Sequence, residues 1–397
     1  PSAVGDDGKD GATAARQTSD LRWKGSAKGF CEVIASGKSD DDPDKVKVYL
    51  NGVTTEPTKQ TFVPVSPSYA LTYYGQNLSV SGVAVDVDDT AGLFGTLLDK
   101  SSVQDLELVD CGIATTADNA GALVGEAAGA INLSNVAVHD SSGTVKSTIR
   151  AKTNAGGLLG KAASGKATID SCAASVFVEG TGDDSVAGGL VGLASGDVTV
   201  SKCYAGGHTT NGKYNSDAIN VVALGHAGGL IGSANGAKIS NSYATTSVRG
   251  GGNVGGLVGS VTGGSIEACY CTGLVVAREG ADDAKLGAFA GAVSGVTLND
   301  KGCKYFSIIN EGMDAVPGTA DSGVEAFDET ATTYNGFFKG TQPAKPYDKT
   351  LEDYYQNKYA FQTVKQLSGD DVTGFVKTHY GDWPTPEVLV ENEKATP

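Results

Sequence analysis

The chain has 397 residues, and its 46 aspartates and glutamates outnumber its 30 lysines and arginines to give a net charge of −16. This length accommodates two or three ordinary domains or one extended repeat array. The acidic balance argues against nucleic acid and anionic membranes as partners, because both require basic surface. No run approaches the roughly 18 consecutive apolar residues of a membrane span, so we expect no membrane insertion of this segment.

The N-terminal part of the chain divides into two segments. Residues 1–17 are small and polar and predict a flexible leader. Residues 18–90 predict an N-terminal cap and the first coil of a repeat array. The cap would open with a helix that runs to about Ser36, because the polar residues 18–20 are favourable N-caps and Gly37 is a typical stop. A solenoid needs such an atypical end to keep its open edge from pairing with another molecule.

Glycine is the compositional outlier, with 56 residues or about twice the usual share, and much of it lies in seven copies of one short motif. Successive closing glycines are 27 to 40 residues apart, a period that is typical of a solenoid. Because glycine permits positive φ angles, we expect the closing glycines to form strained corners. The seven copies are Ala91-Gly-Leu-Phe-Gly95, Gly121-Ala-Leu-Val-Gly125, Gly156-Gly-Leu-Leu-Gly160, Gly188-Gly-Leu-Val-Gly192, Gly228-Gly-Leu-Ile-Gly232, Gly255-Gly-Leu-Val-Gly259 and Gly287-Ala-Phe-Ala-Gly291.

The segments between the motifs repeat as well. A small-residue turn is followed by an apolar-polar alternation that ends in a Cys/Ser-Tyr corner, as in Val198-Thr-Val-Ser-Lys-Cys-Tyr204. Such alternation indicates a short strand, and no proline, which cannot donate to a β-ladder, lies between Pro67 and Pro317. The sequence therefore predicts an all-β fold, a parallel β-helix (solenoid) of about seven coils, with its repeats in residues 91–305. A propeller, whose repeats are longer, ranks second.

The repeat fades after Cys303, where prolines return and aromatic residues increase. Residues 306–397 therefore predict an aromatic-rich C-terminal cap or a small appended domain.

Four of the motif copies open with two glycines and contain a glycine-leucine-any-glycine core. The cores are Gly157-Leu-Leu-Gly160, Gly189-Leu-Val-Gly192, Gly229-Leu-Ile-Gly232 and Gly256-Leu-Val-Gly259. At these residues the chain resembles the GLUG-motif repeat family, and the resemblance covers about residues 18–305. It implies a part of a large exported bacterial protein, because such repeats occur in adhesin-like surface proteins and in non-catalytic parts of some immunoglobulin A-cleaving zinc peptidases. We therefore expect an extracellular location, at the cell surface or secreted.

Zinc peptidase chemistry requires a His-Glu-x-x-His helix, in which two histidines hold the metal and the glutamate acts as base. The four histidines, His139, His208, His226 and His379, have no such neighbours. We expect no cofactor, no metal and no catalytic residues. The alternative is a carbohydrate-active β-helix enzyme of the polysaccharide lyase or hydrolase type, which would use clustered carboxylates. Its candidate pairs include Asp88-Asp89, Asp183-Asp184 and Asp282-Asp283, which we interpret as solvated turns at coil corners.

Four of the seven cysteines fall at nearly the same distance from a closing glycine. Cys172, Cys203, Cys269 and Cys303 lie 10 to 12 residues after it, and Ser242 takes that place in the intervening coil. The spacing predicts one structural column of buried, free thiols that pack as small hydrophobes. The alternative is a disulfide between neighbouring coils, Cys172 with Cys203 or Cys269 with Cys303, which an exported protein would permit.

One repeat is longer than the others, because 40 residues separate Gly192 from Gly232. The excess lies in residues 206–217, and insertions in solenoids emerge as loops that often bind partners. The candidate ligand-binding residues are His208, Asn211, Lys213, Tyr214 and Asp217. An idle surface loop is the alternative, since insertions cost little stability. The sequence thus predicts a non-catalytic structural or adhesive module of a bacterial surface protein whose partner is an extracellular protein or glycan.

Overall fold

A computed structural model gives the structure of the protein. It describes residues 62–140, 147–162, 165–206, 209–210, 213–214, 219–271, 273–298, 303–305, 310, 312–319 and 323–326, together with five strands in the first 61 residues. In these ranges, every secondary-structure element longer than one residue is a β-strand. Among the described residues there is accordingly no helix long and apolar enough to cross a membrane.

The chain winds into a solenoid whose coils each have four faces. In one coil it passes through Gly112–Thr115 on face 1, Asn119–Gly121 on face 2, Val124–Ala127 on face 3 and Asn132–His139 on face 4. Each of these strands pairs in parallel with its counterpart one coil further on. Faces 1 and 3 each have seven strands. The predicted parallel β-helix of about seven coils is confirmed.

Faces 1, 2 and 3 are formed by single short strands. The strands of face 1 are Ala84–Val87, Gly112–Thr115, Thr148–Ala151, Phe177–Gly180, Ile219–Ala223, Ser247–Gly250 and Val275–Ala277. Those of face 2 are Asn119–Gly121, Asn154–Gly156, Val186–Gly188, His226–Gly228, Asn253–Gly255 and Lys285–Gly287. Those of face 3 are Phe94–Leu97, Val124–Ala127, Leu159–Ala162, Val191–Ser195, Ile231–Asn235, Val258–Thr262 and Ala290–Ser294.

Face 4 begins with three long strands and continues with pairs of short ones. The long strands are Leu71–Ser81, Ser102–Val109 and Asn132–His139. The pairs are Thr168–Asp170 with Ala173–Ala174, Thr199–Ser201 with Tyr204–Ala205, Lys238–Ser240 with Tyr243–Ala244, Ser265–Glu267 with Tyr270–Cys271, and Thr297–Leu298 with Lys304–Tyr305. A last strand, Glu325–Ala326, pairs in parallel with Lys304–Tyr305.

A column of residues with positive φ divides face 4 into a proximal half before it and a distal half after it. Its members are Asp105, Asn135, Ser171, Lys202, Asn241 and Ala268, with φ between 48° and 57°. Asparagine and aspartate tolerate this left-handed conformation better than most residues. In the early coils, side chains of this column also form hydrogen bonds with one another. The Asn135 Nδ2 donates to the Asp105 Oδ1 over 2.8 Å. The bend therefore turns face 4 without breaking the stack.

The interior consists of in-register columns of apolar side chains. Strands alternate their side chains, so a single inward position on face 1 repeats in every coil. The column is Val85, Ile113, Ile149, Val178, Val221, Val248 and Val275, each at most 3 % exposed. Burying one such side chain contributes roughly 1.5–3 kcal/mol. Because one coil alone leaves its column open above and below, the coils stabilise one another.

The glycine motif forms the corner between faces 2 and 3, but the closing glycines are not strained turns. None of the seven has a positive φ, so that expectation is wrong. They are required because a neighbouring backbone comes close: a Cβ on Gly259 would lie 2.5 Å from the carbonyl oxygen of Gly232 and 2.8 Å from that of Ala227. Positive φ occurs instead in the turn from face 3 to face 4, for example 79° at Gly236.

The N-terminal end of face 4 is extended by strands and not by the predicted helix. Leu21–Gly25 and Cys31–Ala35 form an antiparallel pair where the helix from residues 18–20 to Ser36 was expected. The helix is wrong because the sequence Leu-Arg-Trp-Lys-Gly alternates with a period of two. Gly25 and Gly29 would in addition each cost a helix about 1 kcal/mol relative to alanine.

The remaining N-terminal strands continue this extension. Thr13–Arg16 pairs in parallel with Leu71–Ser81, the first long strand of face 4. Ser2–Val4 pairs with Thr13–Arg16, and Val46–Val48 pairs with Cys31–Ala35, both antiparallel. The last described strand of the chain ends at Ala326, and residues 327–397 of the predicted C-terminal cap lie outside the described part.

Candidate functional site

The predicted cysteine column is present inside the distal half of face 4. The strand registers place Cys172, Cys203, Ser242, Cys269 and Cys303 at one position of successive coils. The six described cysteines, which also include Cys111 and Cys271, are buried and free, as the thiol interpretation predicted. The side chain of Cys31 lies outside the described residues.

The column does more than fill space. The backbone N–H of Cys172 donates to the Sγ of Cys203 over 3.4 Å, and the N–H of Cys203 donates to the Oγ of Ser242 over 3.1 Å. Cys203 and Ser242 thus each satisfy a backbone donor of the coil before them. A serine fits at position 242 because its hydroxyl accepts the same hydrogen bond.

Burial makes these thiols unsuitable for chemistry at neutral pH. Desolvation raises the pKa of Cys111 to about 12 and that of Cys303 to about 11. It also raises the pKa of Cys203, Cys269 and Cys271. Because the thiolate is the nucleophile and the metal ligand, these thiols are structural.

The acidic pairs lie at one corner of the solenoid, in the turn from face 1 to face 2. Asp88, Asp89, Asp183, Asp184, Asp282 and Asp283 are all exposed there. Asp118 occupies the same turn, and its Oδ1 accepts a hydrogen bond of 2.6 Å from the Thr153 hydroxyl of the next coil. In the described part of the chain, no group of three or more His, Cys, Asp or Glu side chains is placed to hold a metal ion. Exposed turn positions match the interpretation as solvated corners.

The two histidines that the structure describes lie on different faces. His139 ends a strand of face 4 and is buried, whereas His226 begins a strand of face 2 and is half-buried. The Nδ1 of His226 accepts a hydrogen bond of 2.9 Å from the backbone N–H of Asn253. Desolvation lowers the pKa of His226, and the negative charge of Asp184 opposes this effect. Its neutral ring is therefore a structural acceptor.

A polar ladder on face 2 was missed at the sequence level. The Asn154 Nδ2 donates to the Asn119 Oδ1 over 2.8 Å, and the Asn119 Nδ2 donates to the Glu126 Oε2 over 2.9 Å. Lys161 pairs with the second oxygen of Glu126 at 3.4 Å. The sequence contains a signal for this ladder, because Asn119 and Asn154 each lie two residues before the opening glycine of a motif copy.

The predicted binding insertion leaves the solenoid between face 4 and face 1. The structure describes two short antiparallel strands in it, Thr209–Thr210 and Lys213–Tyr214. Two of the candidate binding residues, Lys213 and Tyr214, thus share one strand of a small hairpin. The other three, His208, Asn211 and Asp217, lie outside the described residues, as do the side chains of the hairpin. The binding role of the insertion stays a prediction.

A stack of tyrosines spans the coils on either side of the insertion. The rings of Tyr204 and Tyr243 are 4.9 Å apart and parallel to within 1°. The ring of Tyr270 follows at 4.8 Å and 9° from that of Tyr243. The Cys/Ser-Tyr corner of the sequence repeat marked these positions, and the structure adds that their rings stack.

Two solved structures are similar to the chain. One is a Bacteroides ovatus protein provisionally named an immunoglobulin A1 protease, with 16 % identity, a TM-score of 0.42 and coverage of 73 % of this chain and 78 % of that one. The other is named IgA1 protease, with 15 % identity, a TM-score of 0.37 and coverage of 93 % of this chain. The chain spans only 29 % of the length of the second protein. No family model and no curated protein matches, so the resemblance to the GLUG-motif repeats stays a prediction.

Proposed function

We propose that the chain is a non-catalytic structural and adhesive module of an exported bacterial surface protein. It holds a binding surface for an extracellular protein or glycan at a fixed distance from the rest of that protein. One observation carries the proposal: the insertion between Ala205 and Ile219 leaves the coil, yet Tyr204 and Tyr243 on face 4 and Val221 and Val248 on face 1 stay paired. A loop that leaves these pairs intact, with one register irregularity between Ile219 and Val221, is free to diverge for recognition.

The solenoid is suited to act as a rigid support. Its interior is filled by apolar columns, and consecutive coils are joined by parallel ladders on all four faces. Seven coils at about 4.8 Å each give a body of roughly 34 Å. Such a body has little need for conformational change, which suits the display of a binding surface better than enzymatic turnover.

The residue types of the insertion fit recognition of a polar ligand. Tyr214 offers a ring that can stack on a sugar face, and aromatic residues dominate binding hot spots. His208, Asn211, Lys213 and Asp217 supply hydrogen-bond donors and acceptors. No cofactor takes part in this function.

The test is a binding screen with the whole chain followed by substitution in the insertion. A glycan and extracellular-protein array identifies the ligand, and a Lys213→Ala/Tyr214→Ala double variant is then titrated against it. We expect the affinity to fall at least tenfold with an unchanged melting temperature. The matched control is Lys238→Ala, which removes an exposed lysine from face 4 and should bind as the parent does. Equal binding by the double variant and the parent would move the site away from the insertion.

The competing proposal is a carbohydrate-active β-helix enzyme. One observation favours it: acidic residues recur in the turn from face 1 to face 2, in the coils that contain Asp89, Asp118, Asp184 and Asp283. Glycosidases need two carboxyl groups about 5 to 9.5 Å apart, one of them kept protonated by its surroundings. Exposed turn carboxylates lack such surroundings, so we rank this proposal second.

A further inference from the structure

The distal half of face 4 carries an outward-facing apolar column, which we call the tyrosine strip. The strip consists of Ala137, Ala173, Tyr204, Tyr243 and Tyr270, which the strand registers place in one line. The side chains on either side of the tyrosines point inward. Ala244, for example, faces the interior, because a Cβ built on Gly229 would lie 2.9 Å from the methyl group of Ala244. Because side chains alternate along a strand, the tyrosines point away from the core.

The tyrosine strip is nevertheless covered. Tyr204, Tyr243 and Tyr270 are 0 to 1 % exposed, although stacking hides only the faces of their rings. Ser240, the outward residue on the proximal half of the same coil, is partly exposed. A further layer of protein therefore lies over the distal half of face 4 and not over the proximal half.

We propose that residues 327–397 form this layer. The column of the tyrosine strip continues beyond Tyr270 to Lys304 and then to Glu325 in the last described strand. The last described strand consequently ends one residue later, at Ala326, in line with the end of the strip. The 71 residues that follow are long enough to return along a strip of five coils, which spans about 19 Å.

The composition of this segment matches the strip. Residues 327–397 contain 12 of the 28 aromatic residues of the chain, and aromatic pairs add about 0.5–1.5 kcal/mol beyond the burial of their area. The insertion, which begins two residues after Tyr204, contains a single aromatic residue, Tyr214. The C-terminal segment is accordingly a flank of the solenoid. Without it, the tyrosines would form an exposed apolar patch that invites association.

The first measurement uses the unmodified chain. Hydroxyl-radical labelling of tyrosines, read by mass spectrometry, should modify Tyr204, Tyr243 and Tyr270 at least tenfold more slowly than Tyr69, which is 43 % exposed. Protection should be independent of protein concentration, because the cover belongs to the same molecule. Labelling of the three tyrosines at the rate of Tyr69 would overturn the proposal, and so would protection that is lost on dilution.

The second measurement identifies the cover in the full chain. The photoreactive residue p-benzoylphenylalanine replaces Tyr243 in one variant and Ser240 in the control variant. We expect intramolecular cross-links from position 243 to peptides of residues 327–397, and few from position 240. Cross-links confined to residues 207–218, cross-linked dimers, or no excess over the Ser240 control would overturn the proposal. Neither measurement depends on the proposed binding function.

Discussion

Tyr204 and Tyr243 are 39 residues apart in the chain, yet their rings stack at 4.9 Å and within 1° of parallel. The separation is one coil, and this coil contains the insertion. Stacking at the normal distance between strands shows that the insertion adds no turn and no shift to face 4. The repeat length of the sequence varies, whereas the register between these two strands of face 4 does not.

Removing the central ring of the stack should destabilise the fold. Tyr243 is fully buried between Tyr204 and Tyr270, and truncating a buried aromatic residue costs about 3–5 kcal/mol. We expect Tyr243→Ala to lower the free energy of unfolding in urea by about 3 kcal/mol or more. Ser240→Ala, on the proximal half of the same coil, should change it by less than about 0.5 kcal/mol. Similar midpoints for both variants would show that the stack does not contribute to stability.

The closing glycines should tolerate no Cβ. In Gly259→Ala the new methyl group would meet the carbonyl oxygens of Gly232 and Ala227, and such overpacking costs about 1–3 kcal/mol. The matched control is Gly112→Ala, because a Cβ on Gly112 meets no atom within 4 Å. Thermal unfolding should show a lower melting temperature for the first variant only. Parent-like melting of Gly259→Ala would mean that the corner relaxes without cost.

The buried thiols should not react in the folded protein. Because burial raises the pKa of Cys111 to about 12 and that of Cys303 to about 11, the reactive thiolate is scarce at pH 8. In a Cys31→Ser variant, an aromatic disulfide reagent should detect no thiol in the folded state and all six remaining thiols in denaturant. Fewer than six in unreduced, denatured protein would establish the disulfide alternative for the column.

His226 should make the stability pH-dependent. Its pKa in the folded state is lowered by burial, so the unfolded chain, with a pKa of about 6.5, binds the proton more readily. The stabilisation is therefore complete above about pH 6.5 and is lost as the pH falls through the folded pKa.

The comparison is with His226→Asn, whose side-chain oxygen can still accept from the Asn253 N–H. The melting temperature of the parent should fall more than that of the variant between about pH 7 and pH 5. The other three histidines and all carboxylates are common to both proteins. If the melting temperatures of the two proteins fell equally with pH, the ring of His226 would be shown to stay solvated.

The repeat made most of the solenoid predictable. The period of the glycine motif, the alternation before each Cys/Ser-Tyr corner and the absence of proline led to the coil number, the strands and the cysteine column. Local patterns suffice there because each coil repeats the environment of the last. The role of Gly259 was misjudged, since its constraint comes from Gly232 and Ala227 in the coil before and not from its own φ angle.

Other features depended on contacts that a single repeat does not reveal. The N-terminal helix was wrong because Leu21–Gly25 has a strand partner in Cys31–Ala35, which outweighs the capping signal. The bond from Asn154 to Asn119 joins residues 35 positions apart. The cover of the tyrosine strip depends on tertiary packing, which no local periodicity encodes. The binding residues of the insertion have no repeat to compare with.

Binding without turnover is the central claim, and it is tested most directly by recovering the ligand. The purified chain is incubated with the ligand found by the array until binding saturates, and the length of the released ligand is measured by size-exclusion chromatography with light scattering. The claim predicts saturable binding that the Lys213→Ala/Tyr214→Ala variant lacks, with the ligand returned at its original length. A polysaccharide returned shortened, with new reducing or unsaturated ends in proportion to the amount of protein, would contradict it and establish the enzyme in its place.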